Sequence, residues 1–143
     1  MASGYSHSLS LDREGNVWAW GRNNNRQLGD GTNTDRNAPV SVSGLSGVIA
    51  IAAGANHNFA LKANGTVLAW GRNNNGQLGD ATTTDRNTPV KISGLTGEIT
   101  AIALLDRLTV WRSKQMVRSW RGDITRVDNW ETGQTQIGIR RYQ

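Results

Sequence analysis

The sequence repeats itself with a period of 50 residues, and this repetition restricts the fold more than any other feature. Residues 21–45 and 71–95 are identical at 19 of 25 positions, and the same offset separates His7 from His57. Repeats of about 50 residues, built from short β-rich segments, are typical of propeller blades and not of helical solenoids. We therefore predict an all-β fold made of similar, adjacent sheets.

One unit of the repeat predicts four short strands. Alternating apolar residues and flanking turn residues place them at 48–54, 56–62, 66–71 and 89–93. The dipeptide Asn64-Gly65 between the second and third strands predicts a type I′ hairpin turn. Because Pro89 lacks an N–H donor, the fourth strand should begin there or lie at a sheet edge. The unit is thus predicted to be a four-stranded antiparallel meander.

The third strand of each unit predicts how neighbouring sheets pack. In VWAWG, Trp18 and Trp20 lie on one face of the strand, and the smaller Val17 and Ala19 lie on the other. Stacked sheets pack well when the large side chains of one meet the small side chains of the next. We interpret these tryptophans, with their counterparts Leu68 and Trp70, as core between sheets and not as a ligand-stacking surface.

Two segment pairs carry a family resemblance. The first unit contains GYSHSLSL and GNVWAWGRNNNRQLGDG, and the second contains GANHNFAL and GTVLAWGRNNNGQLGDA. From residue 3 to 103 this pattern resembles the repeat of the regulator of chromosome condensation family, and GDGTNTDRNAPV is closer to its bacterial members. The resemblance implies a seven-bladed β-propeller that binds proteins and is not an enzyme. The positions matching the repeat pattern are Gly4, His7, Trp18, Trp20, Gly21, Gln27, Leu28, Gly29, Gly54, His57, Leu68, Trp70, Gly71, Gln77, Leu78 and Gly79.

The repeats divide the chain into four parts. Residues 1–46 form an incomplete first repeat, 47–97 a second, and 98–103 the first strand of a third, which leaves 104–143 as an irregular, non-repeat tail. Most of the net charge of +5 lies in that tail, which has eight basic and four acidic residues. We therefore predict two adjacent four-stranded blades of an open propeller fragment, which begins and ends inside blades.

The tail carries a second pattern at the level of codons. From Trp111 onward, the third base of each codon and the first two of the next can encode ALKANG, which is residues 60–65. In the same way Val117 to Asp123 can encode TVLAWG, and Val127 to Gln143 can encode GQLGDGTNTDRNTPV. We interpret the tail as a third repeat translated out of frame. The alternative is a selected basic tail in which WRSKQMVRSWR binds nucleic acid or a membrane surface.

Several residues with ionisable or polar side chains have a structural interpretation. His7 and His57 recur once per repeat, which favours a structural hydrogen bond inside each blade. The aspartates of GDGTNTD and GDATTTD lack EF-hand spacing, so turn chemistry is favoured over a calcium site. The Asn64-Gly65-Thr66 sequon is already explained by a hairpin turn. The four aspartates are Asp30, Asp35, Asp80 and Asp85.

The function predicted from the sequence is non-catalytic. We expect part of a protein-interaction scaffold, with a partner on the loops at one face of the disc and no cofactor, metal or small-molecule substrate. A remnant without independent function is the alternative, and a nucleic-acid or membrane-surface binder is the weakest one. No signal peptide or apolar span is present, so the chain as it stands is expected to be cytoplasmic. We also expect self-association through open faces that leave Trp18, Trp20 and Trp70 partly uncovered.

Overall fold

The protein is described by a computed structural model that covers residues 1–92, 99–104, 108–112, 115–120, 124–129 and 134–139. Within these ranges it consists of strands, turns and loops, with no helix. The strands form three antiparallel sheets, each with its strands in chain order. This arrangement confirms the predicted all-β class and the antiparallel meander.

The first two sheets correspond to the two repeats. The first sheet contains β1 (Ala2–Ser3), β2 (His7–Leu11), β3 (Val17–Gly21) and β4 (Arg36–Ser41). The second sheet contains β5 (Val48–Ala53), β6 (His57–Lys62), β7 (Val67–Gly71) and β8 (Arg86–Lys91). Equivalent strands are offset by 50 residues, as the sequence repeat requires, except that β1 is shorter than β5.

The third sheet is formed where we predict an irregular tail. It contains β9 (Ile99–Leu104), β10 (Leu108–Arg112), β11 (Gln115–Trp120), β12 (Ile124–Asn129) and β13 (Gln134–Ile139). Each strand pairs with the next along the chain. The segments have no period of 50 residues, but they are rich in β-branched and aromatic residue types, which favour strands. These segments can therefore form strands without the repeat. The tail is irregular in sequence, because it lacks the repeat, but it is not irregular in structure.

The fourth strand of the second repeat begins earlier than predicted. β8 starts at Arg86, three residues before Pro89, and lies at the edge of its sheet. Its register with β7 shifts between Ala69 and Gly71, so that several residues of β8 lie opposite Trp70. The edge position predicted for Pro89 is confirmed. Proline has no N–H donor, and a residue at a sheet edge or in a bulge does not need one for the ladder.

The hairpin between β6 and β7 is not a type I′ turn. Among the non-glycine residues described, only Arg26 and Ala81 have positive φ, whereas type I′ would require it at Asn64 as well. Gly65 alone has φ of +82°, and the Gly65 N–H donates to the carbonyl of Lys62 at 2.9 Å. This is the geometry of a three-residue loop with a glycine bulge. The Asn64 side chain instead accepts from the Thr66 N–H at 3.1 Å.

The largest buried cluster lies between the first and second sheets. Trp70 is fully buried there against the small face of the first sheet, which is formed by Leu9, Val17, Ala19, Leu28 and Val42. The predicted large-against-small packing is therefore present, but the expectation that Trp70 is partly uncovered was wrong. Trp18 is 38% exposed and Trp20 is half-buried on the opposite face of the first sheet.

The second cluster lies between the second and third sheets. Phe59, Val67 and Ala69 are buried on the small face of the second sheet. Ile99 of β9 is 4% exposed and belongs to the same cluster. β9 therefore covers the face of the second sheet that is opposite to the face carrying Trp70.

Candidate functional site

The long connections of both repeats meet at one end of the sheets. In an antiparallel meander, the first and third connections leave from the same end. Residues 4–6 and 22–35 of the first repeat, and 54–56 and 72–85 of the second, therefore lie together. We call this end the loop face. The short hairpins and the connections between sheets lie at the opposite end.

A buried asparagine organises the long loop of the first repeat. Asn23 is fully buried, and its Nδ2 donates to the carbonyls of Thr32 and Thr34 at 3.0 and 3.1 Å. Its Oδ1 accepts from the Leu28 N–H at 2.9 Å. The Asn23 N–H donates to Asp35 Oδ1 at 2.7 Å. One side chain thus joins both halves of the loop and satisfies backbone groups that would otherwise be orphaned.

Asp30 closes the same loop. Its Oδ1 accepts from the Thr32 N–H and hydroxyl at 3.0 and 2.7 Å, and its Oδ2 accepts from Arg36 Nε at 2.9 Å. Burial raises the pKa of Asp30, but the hydrogen bonds from Thr32 and Arg36 outweigh it, so the pKa lies below its ordinary value. Because protein donors occupy both carboxylate oxygens, the hydrogen bonds support a turn role for this aspartate over a calcium ligand.

The second repeat builds the same frame from Asn73 and Asp80. Asn73 Nδ2 donates to the carbonyls of Thr82 and Thr84 at 3.0 Å each. Asp80 Oδ2 accepts from Arg86 Nε at 2.7 Å. Sequence reasoning missed both asparagines. The available signal was the first Asn of the RNNN motif, which has aspartates seven and twelve residues later in both repeats.

A chain of hydrogen bonds crosses from the first sheet to the second, and we call it the sheet junction. His7 Nε2 donates to Asn58 Oδ1 at 2.6 Å, and Asn58 Nδ2 donates to the carbonyl of Gln27 at 2.6 Å. Trp70 Nε1 donates to the same carbonyl at 3.1 Å. All four residues are buried. The bond of His7 therefore runs between blades and not inside one, because Asn58 of β6 faces the first sheet.

Two glycines make room for this junction. Gly29 has φ of +66°, and a Cβ there would lie 2.7 Å from Trp70 Cδ1. A Cβ on Gly4 would overlap the His7 ring at Cε1. A side chain at either position would thus displace a ring of the junction, which explains two glycines of the repeat pattern.

The remaining residues of the repeat pattern support the loops and strand ends. Leu28 and Leu78 are fully buried beneath the long loops. The side-chain carbonyls of Gln27 and Gln77 accept from the N–H groups of Asn25 and Asn75, each at 2.8 Å. Glycines with positive φ lie at the ends of β3 and β7 and in the second loop, namely Gly21, Gly71 and Gly79. Gly54 is packed beside His57, whose ring meets Phe59 edge-on at 5.6 Å, and Leu68 is half-buried.

Direct contacts join the two long loops into one surface. Arg26 Nη1 donates to the carbonyl of Asp85 at 2.9 Å. The Gly31 N–H donates to the Asn87 carbonyl at 2.9 Å, and Asn87 Nδ2 donates back to the Gly31 carbonyl at 3.0 Å. Between the connections that join the first and second strands of each sheet, the Tyr5 N–H donates to the Ala55 carbonyl at 3.2 Å. The loop face is therefore a continuous platform across both sheets.

Comparison with known proteins identifies the family. The regulator of chromosome condensation (RCC1) repeat matches residues 14–61 and 64–110, and a second family model of the same description matches 48–77. The chain belongs to the RCC1 repeat family. The resemblance inferred from the sequence is thus confirmed.

Curated relatives that match this chain include a plant protein and a human protein. The ultraviolet-B receptor UVR8 of Arabidopsis thaliana is 44% identical over 46 residues, which are 32% of this chain and 10% of that protein. Protein RCC2 of Homo sapiens is 44% identical over 48 residues, which are 34% of this chain and 9% of that protein. The matched part of the chain therefore spans about a tenth of the length of these relatives.

Solved structures confirm the propeller-type fold. Human WBSCR16 has a TM-score of 0.70 at 24% identity, over 89% of this chain and 31% of that one. Yeast RCC1 (Prp20), solved bound to Kap60, has a TM-score of 0.58 at 26% identity, over 90% of this chain and 31% of that one. This chain corresponds to about a third of either protein.

The repeats differ at a backbone position that gives a stability prediction. Ala81 has φ of +65°, where the first repeat has Gly31 with φ of +82°. Because a non-glycine residue is strained in this region, Ala81→Gly is expected to raise the free energy of unfolding by about 0.5–1 kcal/mol. Urea denaturation measures the change. Gly31→Ala is the matched reverse variant, since a Cβ there meets nothing within 4 Å; equal stabilities of the two variants would contradict the strain argument.

Proposed function

We propose that this chain is a non-catalytic segment of a protein-interaction scaffold and that a protein partner binds its loop face. The observation that carries the proposal is the division of labour within each long loop. Asn23 and Asn73 are fully buried and hold the loops in shape. The adjacent Asn24 and Asn74 are exposed. Loops that are rigid beneath and polar above are suited to binding, because little ordering entropy is lost on association.

Two exposed side chains of the loop face indicate where a partner would make specific contacts. Tyr5 is 86% exposed on the loop face, and the second repeat has Ala55 at the equivalent position. Its backbone is fixed by the hydrogen bond to Ala55, so its ring projects from a defined position. Arg22 is exposed on the same face, and its N–H donates to the Ser6 carbonyl at 2.9 Å. Tyrosine and arginine are enriched among the residues that dominate binding energies.

The relatives support a protein as the class of partner. One solved structure shows yeast RCC1 (Prp20) bound to Kap60, and Prp20p from Saccharomyces cerevisiae is described as binding Gsp1p and histones. These partners belong to those proteins. For this chain they favour a protein ligand over a small molecule, and the partner itself is left to experiment.

Within residues 1–92 and 99–104, no group of three or more His, Cys, Asp or Glu could hold a metal ion. Ser8 and His7 are neighbours in β2 and pair with Trp20 and Gly21 of β3. Because successive residues of a strand point to opposite faces, the Ser8 hydroxyl and the His7 ring lie on opposite faces of the sheet. In the described part of the chain, no helix is long and apolar enough to cross a membrane.

A photo-crosslinking experiment tests the loop face. A benzophenone amino acid is placed at position 5 on the loop face or at position 64 in the hairpin at the opposite end. We expect a discrete protein to crosslink from position 5 alone. With that protein purified, Tyr5→Ala and Arg22→Ala should each weaken binding about tenfold or more, whereas Asn64→Ala should not. Equal crosslinking from both ends would exclude the loop face as the docking surface.

The codon pattern of the tail favours a second candidate, in which the chain is a frameshifted remnant with no independent function. β9 packs against the second sheet as the first strand of a next blade would, through Ile99 and Ile102. The codon pattern described above follows β9 in the chain, from Trp111 onward. Sequencing the gene across codons 95–143 and beyond, in all three frames, tests this candidate. Repeats that continue in the shifted frame would support it, and a frame interrupted by stop codons would favour a retained tail.

The open face of the first sheet supports self-association as part of either proposal. Trp18 is 38% exposed there, and its indole donates to Asp12 Oδ2 at 3.1 Å. Half-buried Trp20 occupies the position that Trp70 fills in the closed interface. Sedimentation velocity should therefore show concentration-dependent association that Trp20→Ser reduces. A monomer at all concentrations would count against it.

A further inference from the structure

The sheet junction contains an ionisable group whose protonation state is set by its neighbours. Asn58 Nδ2 donates to the Gln27 carbonyl, which fixes the orientation of the amide, so Asn58 Oδ1 must accept. His7 Nε2, 2.6 Å away, therefore carries the proton. His7 is 3% exposed, so this bond joins the two sheets out of contact with solvent.

The other ring nitrogen of His7 is prepared for the neutral form only. His7 Nδ1 is buried and has no hydrogen-bond partner among the described residues. Gly4 lies directly against this side of the ring. A lone pair can remain there at modest cost, but a proton would create a buried donor and a buried charge without an acceptor. Both are expensive inside a protein.

No nearby carboxylate of the described residues is arranged to compensate a charge on His7. Strands β1, β3 and β5 contain no ionisable side chain. β6 contributes His57 and Lys62, at opposite ends of the strand. The loop of residues 22–35 contributes the arginines Arg22 and Arg26 together with Asp30 and Asp35, and those two carboxylates already accept from Arg36 and from the Asn23 N–H.

The surroundings of His7 disfavour its protonated form. Burial lowers the pKa of His7 from its usual 6.5, against the opposing effect of the hydrogen bond that it donates to Asn58. Burial, and secondly the charge of His7, lower the pKa of His57 to about 4, but its ring lies on the other face of β6, against Phe59. An opened junction with a solvated His7 binds more protons than the closed one. The stability of the closed junction is therefore complete above about pH 6.5 and falls as the pH drops through the lowered pKa of His7.

We propose that the sheet junction is an acid-sensitive joint, in which protonation of His7 releases the second sheet from the first. Release would remove Trp70 from its buried position beside Gly29 and break its hydrogen bond to the Gln27 carbonyl. Since Gln27 also supports the loop through Asn25, the loop face would change with the junction. The proposal concerns the packing of the sheets and is independent of whether a partner binds.

The test uses the full chain labelled with 5-fluorotryptophan and followed by ¹⁹F NMR from pH 7.5 to 4. Trp70→Phe assigns the Trp70 signal, and ¹H NMR follows the Cε1 protons of His7 and His57. We expect the Trp70 signal to move to its solvent-exposed position as His7 takes up a proton. In the His7→Gln variant, the introduced amide keeps an N–H donor for Asn58, and the midpoint should fall by about one pH unit or more.

Three results would overturn the proposal. The first is a Trp70 signal that stays at its buried position while His7 titrates near pH 6.5. The second is an unchanged midpoint in the His7→Gln variant, which would assign the transition to His57 or to carboxylates. The third is a Trp70 signal that is already exposed at pH 7.5. The first and third need no variant of His7, so the proposal is testable even if that variant does not fold.

Discussion

Trp70→Ala is expected to lower the free energy of unfolding by about 3–5 kcal/mol, the range for truncating a large aromatic side chain in a core. Trp70 is fully buried between the first and second sheets. Its removal leaves a cavity beside Leu9, Ala19 and Val42, and it removes a donor from the Gln27 carbonyl. Because native proteins are only marginally stable, the variant should be largely unfolded in buffer. Urea denaturation followed by far-UV circular dichroism measures the change.

The chain supplies its own control for this prediction. Trp18 lies on the open face of the first sheet and is 38% exposed. Trp18→Ala removes a side chain of the same type, but from a partly exposed position where the indole donates one hydrogen bond, to Asp12. It should cost about 1 kcal/mol or less. Similar costs for the two variants would mean that the interface between the sheets does not hold the chain together.

The packing of the sheets could be predicted from the sequence, because strand periodicity determines which side chains share a face. The contrast between Trp and Val or Ala on β3 and β7 was enough to predict large-against-small stacking. The burial of Trp70 was missed for a different reason. Periodicity predicts on which face of the sheet a side chain lies, but whether that face is covered depends on the neighbouring sheet. Here Gly29 and Val42 of the first repeat lie against Trp70 and complete its burial.

The polar contacts could not be predicted, because each depends on a loop conformation or on a contact between repeats. Three consecutive asparagines look alike in the sequence, and only the folded loop turns Asn23 inward. The His7–Asn58 bond is also hidden, since the first repeat has Ser8 at the position of Asn58. A search for residues shared by the two repeats therefore passes over Asn58. The same reasoning placed the bond of His7 inside one blade.

The second large effect concerns Asn23. Asn23→Ala removes the donor to the carbonyls of Thr32 and Thr34 and the acceptor for the Leu28 N–H. Each buried polar group left without a partner costs about 1–3 kcal/mol, and part of this is recovered if water enters. We expect a loss of about 2–4 kcal/mol in the free energy of unfolding and a large increase in hydrogen exchange at the Leu28 amide.

Asn24→Ala is the matched control, because Asn24 is the adjacent residue of the same type and is exposed. Its side chain contacts only Asn25 Nδ2, at 3.3 Å, among the hydrogen bonds described. This variant should change the free energy of unfolding by less than about 0.5 kcal/mol. At pH 7.5, Asn24→Ala should weaken partner binding without a loss of stability, whereas Asn23→Ala should weaken binding together with the stability of the loop. Equal exchange protection of Leu28 in both variants would show that the buried asparagine does not hold the loop.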